Sequence, residues 1–334
     1  MNSVPFWLIV LIKAVVVLAV VITTFAYSML FERKIMGWMQ MRPGPNRVGP
    51  WGMLQPAADA VKMIFKEDLT PETADPLIYR IAPFISLICA MGTFAIIPFS
   101  AGGDGTPWSV GNVNAGVLFI FALTSVGVYG ISLAGWSSGS KFPLLGAVRS
   151  TAQMISYELS MTMSVIGVLI LAGSTALDTI VDAQHRLWFI VPQIVGFCIY
   201  VITAVAETNR APFDLVEAET ELVGGFHTEY SGLRFGLFFI AEYLNMITVS
   251  CLATLLFLGG WNAPFGIPSF GLWGLLWFII KAGLFLFFYI WLRSTLPRFR
   301  YDRLMDFGWK VLLPVATLNL VVTAAIVAVW PSHA

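Results

Sequence analysis

Eight apolar runs of roughly 20 residues, at 6–31, 81–99, 113–136, 151–172, 187–206, 235–258, 272–292 and 311–330, leave this chain one class of fold. Each is long enough to cross a hydrocarbon core of about 30 Å as a helix. Lipid supplies no hydrogen bonds, so only helices and closed barrels survive there, and runs without strict polar–apolar alternation select helices. The expected fold is an all-α integral membrane protein with about eight transmembrane helices, one polytopic domain over residues 1–334. A chain of zero net charge and 58% hydrophobic residues has the bilayer as a partner and offers nothing to nucleic acid.

The connections after the first, third, fifth and seventh runs hold 16 of the 19 lysines and arginines, whereas the other side has Arg186 alone. The positive-inside rule then predicts both termini outside and those four connections in the cytoplasm. No cleavable signal is expected, because the first six residues carry no positive charge and the first apolar run is too long.

Acid is concentrated in the fifth connection, 207–234. Glu207, Asp214, Glu217, Glu219, Glu221 and Glu229 fall within 23 positions of a chain that is only 11% charged, with Arg210 and His227 among them. Crowded carboxylates titrate as a coupled set and can pass protons near neutral pH, with His227 a further exchanging group. A solvated acidic loop is the competing reading.

The first connection, 32–80, is too long for a helix-to-helix turn. Its RPGPNRVGPWG stretch fixes a rigid, basic, irregular path suited to docking another protein. Beyond it, Leu54, Ala57, Ala58, Val61, Ile64 and Phe65 share one helical face, with Asp59, Lys62, Lys66 and Glu67 off it. That pattern predicts an amphipathic helix on the cytoplasmic membrane surface, started by Pro56 and stopped before Pro71 and Pro76. Asp59, with Arg33 and Lys34 where the first run emerges, puts polar groups at an apolar entrance, which suits a lipid-borne ligand with a polar head. A surface anchor explains the stripe equally well.

Ionisable residues inside apolar runs are costly and mark function. Glu158 and Glu242 each lie 8 residues from a cytoplasmic boundary, about 12 Å deep, and Lys281 lies 12 residues in, about 18 Å deep. With the acidic segment these form a descending set, as a proton route requires; a structural Glu–Lys pair is the alternative. Lys13 reads as a snorkelling anchor. The fourth run contains Gln153, Ser156, Glu158, Ser160, Thr162 and Ser164, and belongs among other helices rather than facing lipid. Cys89, Cys198 and Cys251 occupy separate runs without metal-ligand spacing, so buried core positions are expected and no metal site. Nucleotide-binding signatures are absent, which leaves electron chemistry to partners.

The blocks ERK…MRPGPNRVGPWG…QPAADAVKMIFKED from Glu32 and AETNRAPFDLVEAETELVGGFHTEYSG from Ala206 resemble the H-type membrane subunits of proton-pumping NADH:quinone oxidoreductase, respiratory complex I, and the likeness covers essentially the whole chain. The resemblance implies a component of the bacterial inner membrane that binds no redox centre or permanent cofactor and has quinone as substrate. Its implied partners are the quinone-site and iron–sulfur subunits of the peripheral arm and the small and antiporter-like subunits of the membrane arm. Quinone-site roles would fall to Arg33, Lys34, Asp59, Arg210 and Phe226. Proton-coupling roles would fall to Asp214, Glu217, Glu219, Glu221 and Glu229, with Glu158, Glu207, Glu242 and Lys281 deeper. Two other readings stay open: the homologous anchor of an energy-converting hydrogenase or of a ferredoxin- or F420-linked complex, and a lone proton-coupled transporter, although no internal repeat supports the latter.

Overall fold

The computed structural model describes residues 6–101, 107–214, 223–264 and 271–329. Its helices are α1 (Phe6–Met39), α2 (Gln55–Phe65), α3 (Pro76–Thr93), α4 (Gly116–Ser137), α5 (Lys141–Ala172), α6 (Leu177–Ala183), α7 (Ile194–Glu207), α8 (Gly232–Phe257), α9 (Leu272–Thr295), α10 (Tyr301–Phe307) and α11 (Leu313–Val329). A π-helical turn, Gly308–Leu312, joins α10 to α11 without a break. Short 3-10 turns occur at Pro50–Gly52 and Gly225–His227. Among the described residues the chain is all helix and loop, apart from one isolated bridge between Ala101 and Pro107.

Seven of these helices, counting α10–α11 as one, are long and apolar enough to cross a membrane. The fifth apolar run differs from expectation. It is helical only over the 14 residues of α7, about 21 Å, short of a full span. Pro192 has no amide hydrogen to continue a helix, and residues 189–193 form turns instead. The Gln184 side chain ties that turn to the end of α8, accepting from the amides of Phe189 at 3.2 Å and Gly259 at 2.9 Å.

The ends of other helices are local chemistry. Asp75 caps α3 by accepting from the amides of Leu77 at 3.1 Å and Ile78 at 3.3 Å, and Pro76 occupies its first turn. α5 stops at Gly173, whose left-handed φ of 64° lets its amide bond Leu169 O at 2.9 Å.

α8 is the central helix. Leu244, Leu255, Leu256 and Phe257 on it are fully enclosed, packed on α3, α5, α6 and α9. The polar face of α5 is also buried, as its sequence predicts: Gln153, Ser156, Ser160 and Ser164 all point inward. Gln153 holds the carbonyls of Ala206 and Phe213 at 2.8 and 2.9 Å, which anchors the start of the acidic segment to α5. α1 and α11 are peripheral and present apolar faces outward. Cys89 and Cys251 are buried, but Cys198 is exposed on the outer side of α7.

Candidate functional site

Three groups of residues gather at the end of the bundle that carries α2. The first is the surface around α2 itself. Arg33 at the end of α1 pairs with Asp59 of α2 at 2.8 Å, and Gln55 donates to the other Asp59 oxygen at 2.9 Å. Lys34 donates to the carbonyl of Trp51. Its neighbours Trp38, Gly44, Asn46 and Trp51 shape an open groove. The tight path of this connection depends on Gly52, whose φ is 75° and whose Cβ would stand 2.0 Å from Pro45 O. α2 has no fully buried residue, and Leu54, Val61, Ile64 and Phe65 turn an exposed apolar stripe outward. Arg33, Lys34 and Asp59 therefore come together as expected from the sequence.

The second group is a buried charge network. Glu32, one residue before Arg33, is 3% exposed and receives Arg210 at 3.0 and 3.2 Å, Tyr243 at 2.6 Å, and Arg293 of α9. The Nε of Arg210 lies 2.8 Å from Glu242, and its guanidinium stacks 4.2 Å from the Tyr243 ring. Burial alone would lower the pKa of Arg210, but Glu242 and then Glu32 outweigh it and hold the pKa above the ordinary guanidinium range. Arg210 is thus an internal bridge between two carboxylates and does not face the α2 groove. Next to it, Asp214 is buried and pairs with Arg298 at 3.0 Å.

The third group lines a narrow cavity of about 50 Å³, enough for on the order of three waters at roughly 10–15 Å³ each. Glu207, Glu242, Asn245, Thr124, Thr208 and His227 supply its polar wall; Phe226, Phe235 and Phe239 supply its apolar wall. Phe226 is buried here, edge-on to Phe238 and His227, away from the entrance set in which the sequence reading placed it. Oε2 of Glu207 is buried with no hydrogen-bond partner among the described residues, the kind of acceptor that water completes. Glu158 of α5 accepts from Ser125 of α4 and lies within Coulombic reach of Glu207. Burial holds the His227 imidazole below the ordinary histidine range, against a smaller opposing pull from its own backbone and Asp214.

Not every expected residue joins this cluster. Glu217, Glu219 and Glu221 lie outside the described residues. Glu229 is anchored through its carbonyl, which accepts from Tyr79 at 2.7 Å. Lys281 stands apart from this cluster. Its ammonium donates to the carbonyls of Leu258 at 2.6 Å, Gly260 at 2.9 Å and Asn262 at 2.6 Å, and sits 4.3 Å above the Trp188 ring. Those carbonyls follow the far end of α8, 16 residues or about 24 Å from Glu242. Lys281 caps a helix terminus.

Sequence reasoning missed Glu32, Tyr243 and Arg293. Glu32 and Arg293 directly follow apolar runs, where a charged residue reads as solvated, and only their meeting in space shows that Glu32 is enclosed.

Residues 12–324 match the NADH dehydrogenase family. The chain is 51% identical over 324 residues to an H-type NADH-quinone oxidoreductase subunit of Symbiobacterium thermophilum, covering 97% of this chain and 98% of that protein. It is 53% identical over 342 residues to the H-type counterpart of Deinococcus deserti, with 98% and 87% covered, and 50% identical over 335 residues to that of Streptomyces avermitilis, with 96% and 74% covered. Full-length identity of this order, together with the membrane-spanning helices, shows that the chain belongs to the family of H-type membrane subunits of NADH-quinone oxidoreductase.

Proposed function

We propose that this chain forms part of the chamber in which quinone is reduced and passes the electrostatic effect of that reduction to buried carboxylates that move protons. The observation that carries this reading is the adjacency of the three groups at one end of the bundle: an apolar, exposed α2 flanked by Arg33, Lys34 and Asp59, a buried Glu32–Arg210–Glu242 network, and a small polar cavity at Glu207. Glu242 belongs to both the network and the cavity, so a change of charge at one is felt at the other. Forming quinol takes two electrons and two protons, and in a poorly solvated site a new charge acts on neighbouring carboxylates with several times its strength in water.

In this reading electrons come from iron–sulfur centres on peripheral-arm partners, and the chain itself holds no redox centre. The acidic segment, including Asp214, Glu217, Glu219, Glu221 and Glu229, faces those partners from the cytoplasm, and both termini lie outside a bacterial inner membrane. Small and antiporter-like membrane subunits continue the proton path beyond Glu158 and Glu207.

Purification from native membranes in mild detergent tests the assignment: iron–sulfur and antiporter-like subunits should co-elute with NADH:quinone activity, and a stable homo-oligomer alone would overturn it. Coupling is tested by Glu207→Gln in the assembled complex, which should lower the protons translocated per quinol formed; an unchanged ratio contradicts the role given to Glu207.

A further inference from the structure

The stretch that leaves α2 runs directly against the first turn of α8. Ser231 accepts from the amide of Leu69 at 3.1 Å and donates to the carbonyl of Glu67 at 3.2 Å. Arg234 pairs through Nε with Asp68 at 2.9 Å, donates from Nη1 to Thr70 at 3.0 Å, and lies 5.3 Å from the centre of the Tyr79 ring. The two elements touch through glycine: a Cβ on Gly232 would stand 3.1 Å from Lys66 O, and one on Gly236 would stand 3.0 Å from Met63 Sδ.

The same cluster holds the end of the acidic segment. Tyr79 stacks on Tyr230 with 4.1 Å between ring centres and 7° between planes, donates to Glu229 O at 2.7 Å, and accepts at its carbonyl from Tyr230 at 3.2 Å. A few residues earlier in the same segment are Phe226 and His227, which line the cavity of Glu207 and Glu242. α2, with no fully buried residue, is weakly held along its length but firmly tied at its exit. Separating the exit of α2 from the start of α8 would break several hydrogen bonds and an ion pair together.

We propose that Arg234 is a positioning residue that fastens the exit of α2 to the 225–231 turn, so that α2 and the lip of the Glu207–Glu242 cavity shift as one body when a quinone displaces α2. The proposal rests on the quinone-site reading above and adds the link through which the entrance and the cavity communicate. The link is a two-sided ionic and hydrogen-bonded joint, and coupling through such contacts is measurable by cutting it.

The test uses the whole complex in liposomes, with NADH and a short-chain ubiquinone, comparing Arg234→Met, Arg234→Lys and Asp68→Asn. Cutting the joint frees α2 from the cavity, so Arg234→Met should keep kcat/KM for quinone within about twofold and lower the protons moved per quinol by about threefold or more. Arg234→Lys, which keeps the ion pair, should stay near the parent. Asp68→Asn leaves the Thr70 and Tyr79 contacts of Arg234 in place and should lower the ratio by a smaller factor, so it serves where Arg234→Met fails to assemble. A merely structural role predicts the opposite pattern, with kcat/KM falling and protons per quinol intact, and that result overturns the proposal. Wild-type proton stoichiometry in assembled Asp68→Asn also overturns it. Glu207→Gln run alongside separates the two claims: if it stops pumping while Arg234→Met does not, the joint fails and the quinone-site reading stands; if neither changes pumping, the reading itself fails.

Discussion

The two ends of α8 both meet buried charge, and they treat it in opposite ways. At the far end, Lys281 gives its three N–H groups to three carbonyls of one turn. Each of its hydrogens is directed at a backbone carbonyl of that turn. At the α2 end, Arg210 is shared between Glu32 and Glu242, Glu242 also borders a cavity, and Glu207 has an oxygen there without a partner among the described residues. There the charges have alternatives. Burial of an ionisable group is a weak sign of proton traffic; incomplete or shared satisfaction beside a polar cavity is the stronger one.

The comparison breaks first at Arg210. Arg210→Met leaves the enclosed Glu32 and the part-buried Glu242 without their common cation and should cost about 3–5 kcal/mol, read as loss of assembled complex or a large fall in Tm. Lys281→Met comes next: three carbonyls lose their donor, a cost of roughly 3 kcal/mol at about 1 kcal/mol each, with proton stoichiometry unchanged in the complex that survives. If Lys281→Met left Tm alone and stopped pumping, the two ends would have to exchange roles. A smaller effect is expected from Arg33→Met, since its partly exposed pair with Asp59 contributes under about 1 kcal/mol; KM for quinone should rise while Tm hardly moves.

The smallest effect is a pH dependence at His227. Its native pKa is below the unfolded value of 6.5, so the folded state binds fewer protons. No penalty exists well above pH 6.5, and stability should fall as the pH drops through 6.5 towards the lower native value. Tm measured from pH 8 to pH 5 should show a shallower slope in His227→Gln than in the parent; an unchanged slope would place the imidazole in a more solvated setting.

Much of this was legible in the sequence. Apolar run length gave the spans, the spacing of Leu54, Val61, Ile64 and Phe65 gave α2, and the polar face of α5 announced its own burial. The fifth run is helical over fewer residues than its hydropathy suggests, because hydropathy registers Pro192 as a mild residue whereas its effect is on the backbone. For Lys281 the sequence supplied a depth along its own helix, and depth says nothing about the carbonyls across the gap that it bonds. Glu32 was hidden for the converse reason: its partners are 178, 211 and 261 positions away, and no local pattern signals such pairing.

The account stands most directly on one paired measurement, protons translocated per quinol in liposomes for Glu207→Gln and Lys281→Met, each alongside Tm of the same preparation. It predicts that Glu207→Gln loses pumping at near-parental Tm, and that Lys281→Met lowers Tm at parental stoichiometry. Parental pumping in Glu207→Gln together with abolished pumping in a stable Lys281→Met complex would contradict it.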